Sequence, residues 1–469
     1  MSRPSNKKVA CIILAAGKGT RMNSAQAKVL HKVLGKAMVA YPIEVALSLG
    51  ASPVVAVLGH QRQQVTQVIE GRFGPKQIKV VEQKEQKGTG HAVRLGLAPL
   101  PRFSGTVLIL CGDTPLLREE TLAALLTESR KKKCLAMVTS VVRDPSGYGR
   151  IVRDSAGKIL TVVEHKDASA TERRIAEINA GIYAAPADFL RKATAKLSNH
   201  NAQGEYYLTD IVARAAESIG IVGIDAPAEE TSGINDRAQL VAAEAILGNR
   251  LVAFHQRQVT FRDPRRVEIE AEVAIEADAE IGRDVALRGR TRIGAGAVIG
   301  NGCILTDTEV NAGAVLLPYC VCTQAIIGEN AKIGPFAHLR PGTVLAADVH
   351  VGNFVETKKT QIGRGSKANH LSYLGDTLIG EKVNVGAGTI TCNYNGYEKR
   401  QTIIEDGAFI GSDTQLVAPV RIGKKAVVAA GATITEDVRE GALAITRAPM
   451  KQIDGYAARL AERYPKKRS

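Results

Sequence analysis

Arg292-Ile-Gly-Ala-Gly-Ala-Val-Ile-Gly-Asn301 places an aliphatic residue followed by glycine twice, six positions apart, at Ile293-Gly294 and Ile299-Gly300. The pair recurs at Ile281-Gly282, Ile327-Gly328, Ile333-Gly334, Val351-Gly352, Ile379-Gly380, Val385-Gly386, Ile410-Gly411 and Ile422-Gly423, within a stretch from about Val267 to Arg439. A hexad repeat of this kind is the mark of a parallel β-helix. Each aliphatic side chain points into the shaft, and the small residue after it lets the chain turn a corner without a Cβ clash. Three hexads make one triangular coil of about 18 residues, so a stretch of about 170 residues predicts roughly nine or ten coils.

The repeat breaks after Val385-Gly-Ala-Gly-Thr389. The chain then runs Ile390-Thr-Cys-Asn-Tyr-Asn-Gly-Tyr-Glu-Lys-Arg-Gln-Thr402 before the hexads resume at Ile404. Eleven or so polar and aromatic residues do not fit a coil and are expected to protrude as a loop over 391–402. A loop thrown from a rigid solenoid is a usual place for a site, and a tolerated surface insertion is the alternative.

The chain has 469 residues, 45% hydrophobic and 23% charged, with room for two or three domains. No apolar run approaches the length of a membrane span and no secretory leader is evident, so the expected location is the cytoplasm. Seven cysteines, at 11, 111, 134, 303, 320, 322 and 392, form no CxxC pair and no zinc spacing. They read as reduced thiols, and Cys320-Val-Cys322 as packing within the array. The net charge of +15 raises the question of nucleic acid, but 4% aromatics and no tryptophan leave out the base-stacking half of that signature. Small polyanionic ligands account equally for the basic excess. Lys131-Lys-Lys133 reads as a solvated helix end and Lys466-Lys-Arg468 as a frayed tail.

The first half alternates strands and helices. Val9-Ala-Cys-Ile-Ile-Leu14, Pro53-Val-Val-Ala-Val-Leu58 and Thr106-Val-Leu-Ile-Leu-Cys111 are continuous apolar runs, as expected of strands covered on both faces. Helical patterns at Glu44–Leu49 and Glu119–Arg130 lie between and after them. The pattern predicts a doubly wound sheet with its ligand at the strand C-terminal ends. Ala15-Ala-Gly-Lys-Gly-Thr-Arg-Met22 sits at such an end. It lacks the Gly-Lys-Ser/Thr close of a Walker A loop and the third glycine of a Rossmann fingerprint. What remains is a glycine-rich turn whose amides can cradle phosphate, with Lys18, Arg21 and Lys28 nearby to neutralise it.

Leu14-Ala-Ala-Gly-Lys-Gly-Thr-Arg-Met22 with Lys28, Glu85-Gln-Lys-Gly-Thr-Gly-His-Ala92, Cys111-Gly-Asp-Thr-Pro-Leu116, Gly147-Tyr-Gly-Arg150, Val163-Glu-His-Lys166 and Glu177-Ile-Asn-Ala-Gly181 resemble the motifs of sugar-phosphate nucleotidyltransferases. The hexad half adds His350-Val-Gly-Asn-Phe-Val-Glu356, Lys367-Ala-Asn-His-Leu371 and Asn384-Val-Gly-Ala-Gly-Thr-Ile-Thr-Cys-Asn-Tyr394. Together, in order from about residue 9 to 447, they resemble the bacterial bifunctional N-acetylglucosamine-1-phosphate uridyltransferases / glucosamine-1-phosphate acetyltransferases. The resemblance implies a Rossmann-like α/β nucleotidyltransferase domain with a mostly parallel sheet over 1–237 and a helical linker over 238–260. A left-handed β-helix of hexapeptide repeats over 261–447 and a basic tail over 448–469 would follow. It also implies a homotrimer acting in UDP-N-acetylglucosamine synthesis on small molecules, without nucleic acid.

For the first site the resemblance implies attack by N-acetylglucosamine-1-phosphate on the α-phosphorus of UTP. Asp113 and Asn235, in Gly233-Ile-Asn-Asp-Arg237, would hold Mg²⁺. Arg21 and Lys28 would steady the leaving pyrophosphate, and Leu14, Ala15, Ala16 and Gly17 would bind substrate at this site. Gln83, Gly88 and Thr89 would read uracil, and Gly149, Glu164 and Asn179 would hold the sugar. Taken alone, Asp113 also has an alternative reading as a helix N-cap before Thr114-Pro115, and Asn179 as a strand-end turn. For the second site it implies acetyl transfer from acetyl-CoA, with His370 as general base and Glu356 orienting its imidazole. Arg340, Lys358, Tyr373 and Asn384 would grip the sugar phosphate, with Asn393 and Tyr394 completing the pocket. Ala387, Ser412, Ala430 and Arg447 would line the acetyl-CoA groove. A lone histidine on a solenoid is also commonly structural, and Lys358-Lys359 can be a solvated corner, one of the pair being expected to face the phosphate.

Three departures stand out. Ala27 occupies the place where the family usually has proline before the lysine, Cys111 replaces a common tyrosine, and Asn369 precedes His370 where glycine is common. A single-function nucleotidyltransferase would carry a shorter β-helix without the His370 and Asn393 segments. A non-catalytic scaffold would have lost Asp113, Lys28 or His370.

Overall fold

The computed structural model describes residues 8–464, so the basic run Lys466–Arg468 lies outside the described residues. The chain divides into two compact units between Leu251 and Val252. The boundary falls inside a helix, Arg237–His255, where the sequence predicts a helical connector.

The first unit is a nine-stranded sheet. Its strands are β1 (Val9–Ala15), β2 (Val54–Leu58), β3 (Ile78–Glu82), β4 (Thr106–Cys111), β5 (Leu135–Val141), β6 (Arg150–Arg153), β7 (Ile159–Val163), β8 (Glu177–Pro186) and β9 (Ile221–Asp225). The order is β9-β5-β8-β4-β1-β2-β3, with β6 on β8 and β7 on β6. All pairings along the main order are parallel except those of β8, which runs antiparallel to β4 and β5. The apolar runs are continuous because alternate residues enter two different cores. Ile13, Leu108 and Leu110 pack on one face with the helices Ala40–Ser48 and Glu119–Lys132; Ile12, Val107 and Ile109 pack on the other with Thr89–Leu97 and Ala187–Ala195. Burying each such side chain contributes roughly 1.5–3 kcal/mol. From β1 the chain winds outward through β2 to β3 and then returns to β4 on the other side of β1. The loops after β1 and β4 therefore part at a switch point, which is where a doubly wound sheet binds its ligand.

The second unit is a parallel β-helix. One face is an eleven-stranded sheet whose rungs run from Thr260–Phe261 to Leu443–Ala444, which makes ten turns; the other faces share a seventeen-stranded sheet. Ile281, Ile293, Ile299, Ile327, Ile333, Val351, Ile410 and Ile422 are buried in one continuous core. The glycines after them act differently from the sequence expectation. A Cβ on Gly300 would lie 2.7 Å from the Pro318 amide nitrogen, and one on Gly282 equally close to that of Asn301, so these glycines give clearance to the next coil. The corner itself lies two residues on, where the backbone is left-handed, as at Asp284 (φ 56°) and Gly296 (φ 64°).

The protruding loop is also shorter than expected. Ile390–Cys392 and Thr402–Ile404 are rungs of the shaft, and Thr391 and Thr402 are fully buried. Only residues 393–401 leave the coil, as a small turned-back segment bridged at Tyr394 and Lys399.

Candidate active sites

At the switch point of the first unit, the Lys28 ammonium bonds the Asp113 carboxylate and lies 3.1 Å from Asn235 Oδ1. Three residues distant in sequence thus meet at the end of β4. Asp113 caps no helix, since the next one begins at Glu119 behind Arg118. The amide of Ile234 donates to the Asp113 carbonyl (2.9 Å), which brings the Gly233–Asn235 segment against it. A carboxylate and a carboxamide oxygen converging on the Lys28 ammonium are oxygen donors of the kind that would fit a partly hydrated Mg²⁺. Among the described residues no group of three or more His, Cys, Asp or Glu side chains gathers anywhere, so this pair of oxygens stands without a larger ligand cluster.

The glycine-rich turn lies beside this cluster. Gly17 faces open space, so a ligand can approach its backbone, while Gly19 is left-handed (φ 62°) and a Cβ there would sit 2.5 Å from Lys28 Cβ. Leu14 and Ala15 end β1, and the Gly112 amide donates to the Leu14 carbonyl. Ala16 O accepts from Gln86 Nε2 (3.0 Å), a link to the segment expected to read uracil that was absent from the sequence expectations. Arg21 is exposed on a single 3₁₀ turn near Tyr148, whose phenol is pushed up first by burial and then by the Asp113 charge, with the Arg21 charge acting weakly the other way.

Gln83, Gly88 and Thr89 come together as expected. Gln83 is buried and its Nε2 donates to Gly88 O (3.1 Å); Thr89 begins a helix and its hydroxyl accepts from the Leu208 amide. Gly149, Glu164 and Asn179 form a second cluster: the Asn179 amide donates to Gly149 O, and a Cβ on Gly149 would lie 3.6 Å from Glu164 Oε2. Asn179 is no strand-end turn. It lies within β8 at a register shift, where its Oδ1 accepts from the Gly181 amide (3.1 Å). Burial pushes the Glu164 carboxyl pKa up, against a hydrogen bond from Thr209 that lowers it.

The departures have physical settings. Ala27 is buried with φ −55°, and its N–H donates to Gln61 Oε1 (2.6 Å), a bond proline would lack. The Cys111 thiol is pushed up to about 12, first by burial and then by the Asp113 charge, and stays neutral at pH 7. All seven cysteines are free, and Cys320 and Cys322 are both buried in the shaft. Asn369 leaves its buried Oδ1 without a hydrogen-bond partner among the described residues.

In the second unit, His370 ends the rung Lys367–His370. Its Nδ1 lies 3.1 Å from Asn353 Oδ1, and the two residues are register partners on successive rungs. Glu356 does not orient His370; its Oε1 accepts from Arg340 Nη1 at 2.7 Å. The coil here is 17 residues long, so the neighbour of His370 is residue 353, and Glu356 lies beyond the left-handed corner at Phe354 on another face. Arg340, Glu356, Lys358, Tyr373 and Asn393 share that other face: Glu356 pairs with Tyr373, and a Cβ on Gly375 would meet the Tyr373 hydroxyl at 2.5 Å and Asn393 Nδ2 at 2.8 Å. Lys359 takes a left-handed corner, which leaves Lys358 as the lysine facing the cluster. The ammonium of Lys399, from the protruding loop, pushes the Lys358 pKa down, with Arg340 adding to the effect. Lys399 and Asp376, which accepts from Asn393 Nδ2 (2.5 Å), had no sequence signal, because only the loop's return and the left-handed turn at Asp376 place them.

Asn384 is not in this cluster; it pairs with Lys367 on the His370 face. Tyr394 turns its hydroxyl onto Gly396 O (2.5 Å) within the loop. Ala387, Ser412 and Ala430 occupy equivalent places on three successive coils, where glycines 386 and 411 leave room for the backbone of the next coil. Arg447 closes the column by donating to Ala430 O through Nε (3.1 Å) and Nη2 (2.8 Å).

Residues 11–185 match the MobA-like NTP transferase domain, residues 265–363 the GMPPB C-terminal domain, and residues 401–436 the bacterial transferase hexapeptide (six repeats). The chain is 51% identical over 458 residues to the bifunctional protein GlmU of Sorangium cellulosum (strain So ce56), covering 96% of each. It is 50% identical to that of Anaeromyxobacter sp. (strain Fw109-5), over 96% of this chain and 93% of the relative. It is also 46% identical to that of Pelobacter propionicus, over 97% and 99%.

Proposed function

The chain belongs to the family of bifunctional GlmU proteins, and on that premise we propose that it acetylates glucosamine-1-phosphate with acetyl-CoA and then transfers a uridyl group from UTP to the product. The observation that carries this reading is the presence, in one chain, of the Lys28-Asp113-Asn235 cluster and the Asn353-His370 pair.

In uridyl transfer a phosphate oxygen of N-acetylglucosamine-1-phosphate forms a bond to the α-phosphorus of UTP while the bond to pyrophosphate breaks. The nucleophile needs no base, since a sugar phosphate has its second pKa at about 6. Positioning and charge neutralisation carry the step. Asp113 and Asn235 would hold Mg²⁺, which neutralises phosphate charge when bound. Lys28 and Arg21 steady the departing pyrophosphate. Gln83 uses its amide nitrogen on Gly88 O, which leaves its carbonyl oxygen for the N–H of a uracil ring. Gly149, Glu164 and Asn179 hold the sugar.

In acetyl transfer the substrate amine is largely protonated at neutral pH and must lose a proton before attacking the thioester. With Asn353 Oδ1 as acceptor, His370 Nδ1 carries its hydrogen and Nε2 keeps a free lone pair for that proton. The amine then forms the amide bond and the thiolate of coenzyme A leaves. Arg340, Lys358 and Tyr373 surround the sugar phosphate; the Ala387-Ser412-Ala430 column with Arg447 receives acetyl-CoA. These groups are divided between two faces of the prism, which supports a homotrimer whose neighbouring subunits complete each pocket through Asn384, Asn393 and Tyr394. No helix among the described residues is long and apolar enough to cross a membrane, in keeping with a cytoplasmic role.

Assays with both substrate pairs on the full chain test the proposal. Asp113→Ala should abolish uridyl transfer and leave acetyl transfer near wild type. His370→Ala should lower acetyl transfer by roughly 10² to 10⁴-fold, the usual worth of a general base, and leave uridyl transfer intact. Equal loss of both activities in either folded variant would overturn the assignment of the two sites.

A further inference from the structure

We propose that Gln61 is a positioning residue for uridyl transfer, acting by clamping the short segment that delivers Lys28. The inference rests on the role given to Lys28 above. Gln61 follows β2 and stands just before the helix Arg62–Phe73, with a left-handed backbone (φ 53°) that a residue with a side chain rarely adopts. Such a conformation persists where its surroundings fix it. Here both ends of the carboxamide are engaged: Oε1 accepts from the Ala27 N–H at 2.6 Å and Nε2 donates to the Ala25 carbonyl at 2.5 Å. Two bonds from one side chain to peptide groups two residues apart fix the orientation of that segment, which exposed loop backbone would otherwise sample freely.

The clamp has a specific object. Ala27 is buried, and its N–H would lack a partner without Gln61. Its φ of −55° lies within the range proline imposes. The backbone thus holds the conformation of a proline while lacking the ring, and Gln61 supplies the missing restraint by hydrogen bonding. Lys28 is the next residue, and Gly19 leaves only enough clearance for its Cβ on the other side. Held between the two, the Lys28 side chain reaches Asp113 and Asn235. None of the hydrogen bonds that Gln61 makes is to Asp113 or Asn235, so it acts through Lys28.

Steady-state uridyl transfer by the full-length protein tests the clamp. Gln61→Ala should lower kcat about ten- to a hundredfold, the cost of a small misplacement of a transition-state group, with the KM for N-acetylglucosamine-1-phosphate little changed. Adding Ala27→Pro to Gln61→Ala should restore kcat to within roughly threefold of wild type, because the ring fixes φ without needing an acceptor. A Gln61→Ala variant at the wild-type rate, or a double variant as slow as the single one, would overturn the clamp. Lys28→Gln separates the two levels of the claim. A wild-type rate in that variant would undo the role of Lys28 itself, whereas an inactive Lys28→Gln beside a fully active Gln61→Ala would undo only the clamp.

Discussion

The Nδ1 atom of His370 lies 3.1 Å from the carboxamide oxygen of Asn353, its register partner one coil earlier, while Glu356 is turned to Arg340. Fixing a tautomer from behind is the service an orienting partner gives to a base, and its loss commonly costs about ten- to a hundredfold. Asn353→Ala should therefore lower the kcat of acetyl transfer by roughly that factor. Asn353→Asp keeps an acceptor and should retain most of the rate at alkaline pH. A carboxylate beside the ring favours imidazolium, so the rate of Asn353→Asp should fall at a higher pH than that of wild type as the medium is acidified. Coincident pH profiles would rule out contact between residue 353 and the base in solution.

At the other site, Lys28 shares Asp113 and Asn235 with the proposed cation. Removing divalent ions with a chelator should stop uridyl transfer and leave acetyl transfer unchanged, and added Mg²⁺ should restore the first activity. Asn235→Ala should raise the Mg²⁺ concentration needed for half-maximal rate by about tenfold, since one of two protein oxygens is lost. An unaltered Mg²⁺ requirement would remove Asn235 from the ligand set.

Burial raises the Glu164 carboxyl, and this has a consequence for stability. A folded pKa above the unfolded one means that the charged form is penalised in the native state. The penalty is absent below the unfolded carboxylate pKa and is complete once pH exceeds the folded value. Glu164→Gln should then raise the melting temperature of the first unit near pH 7, and the gain should shrink as pH falls into the carboxylate range. The same variant should weaken binding of N-acetylglucosamine-1-phosphate. A gain independent of pH would point to packing instead of charge.

The elements most legible in sequence were those that a period alone determines. The hexad fixed which side chains enter the shaft, and the three apolar runs fixed β1, β2 and β4, because each is buried on both faces. Resemblance to a known family, and not periodicity, was what gathered Lys28, Asp113 and Asn235 at one site, and the structure places them together. What escaped was geometry that a period does not encode. Glu356 precedes His370 by less than a full coil and lies past the left-handed corner at Phe354, so the residue opposite His370 is Asn353 and Glu356 pairs with Tyr373. The antiparallel run of β8 carries no signature in its own apolar residues. The Gln61 bonds to Ala25 and Ala27 join positions more than thirty residues apart through a side chain whose type alone predicts nothing.

Lys399 is the residue of the proposed sugar-phosphate cluster for which the sequence offered least, and its position makes a sharp prediction. Its ammonium is the first cause of the lowered Lys358 pKa, with Arg340 also opposing protonation and Asp376 favouring it. Cations brought together against their own repulsion are relieved by an anion, and the sugar phosphate is the anion the reaction supplies. Because the phosphate, on the carbon next to the one bearing the amine, undergoes no bond change in the reaction, this attraction is felt about equally in ground and transition states. Lys399→Ala should accordingly raise the KM for glucosamine-1-phosphate about tenfold, with kcat and the KM for acetyl-CoA within about twofold of wild type. Lys399→Glu should raise that KM further, and added salt should weaken wild-type binding more than that of either variant. If Lys399→Ala instead lowered kcat at an unchanged KM, the 393–401 loop would be serving the chemical step, and the phosphate would be held by Arg340 and Lys358 alone.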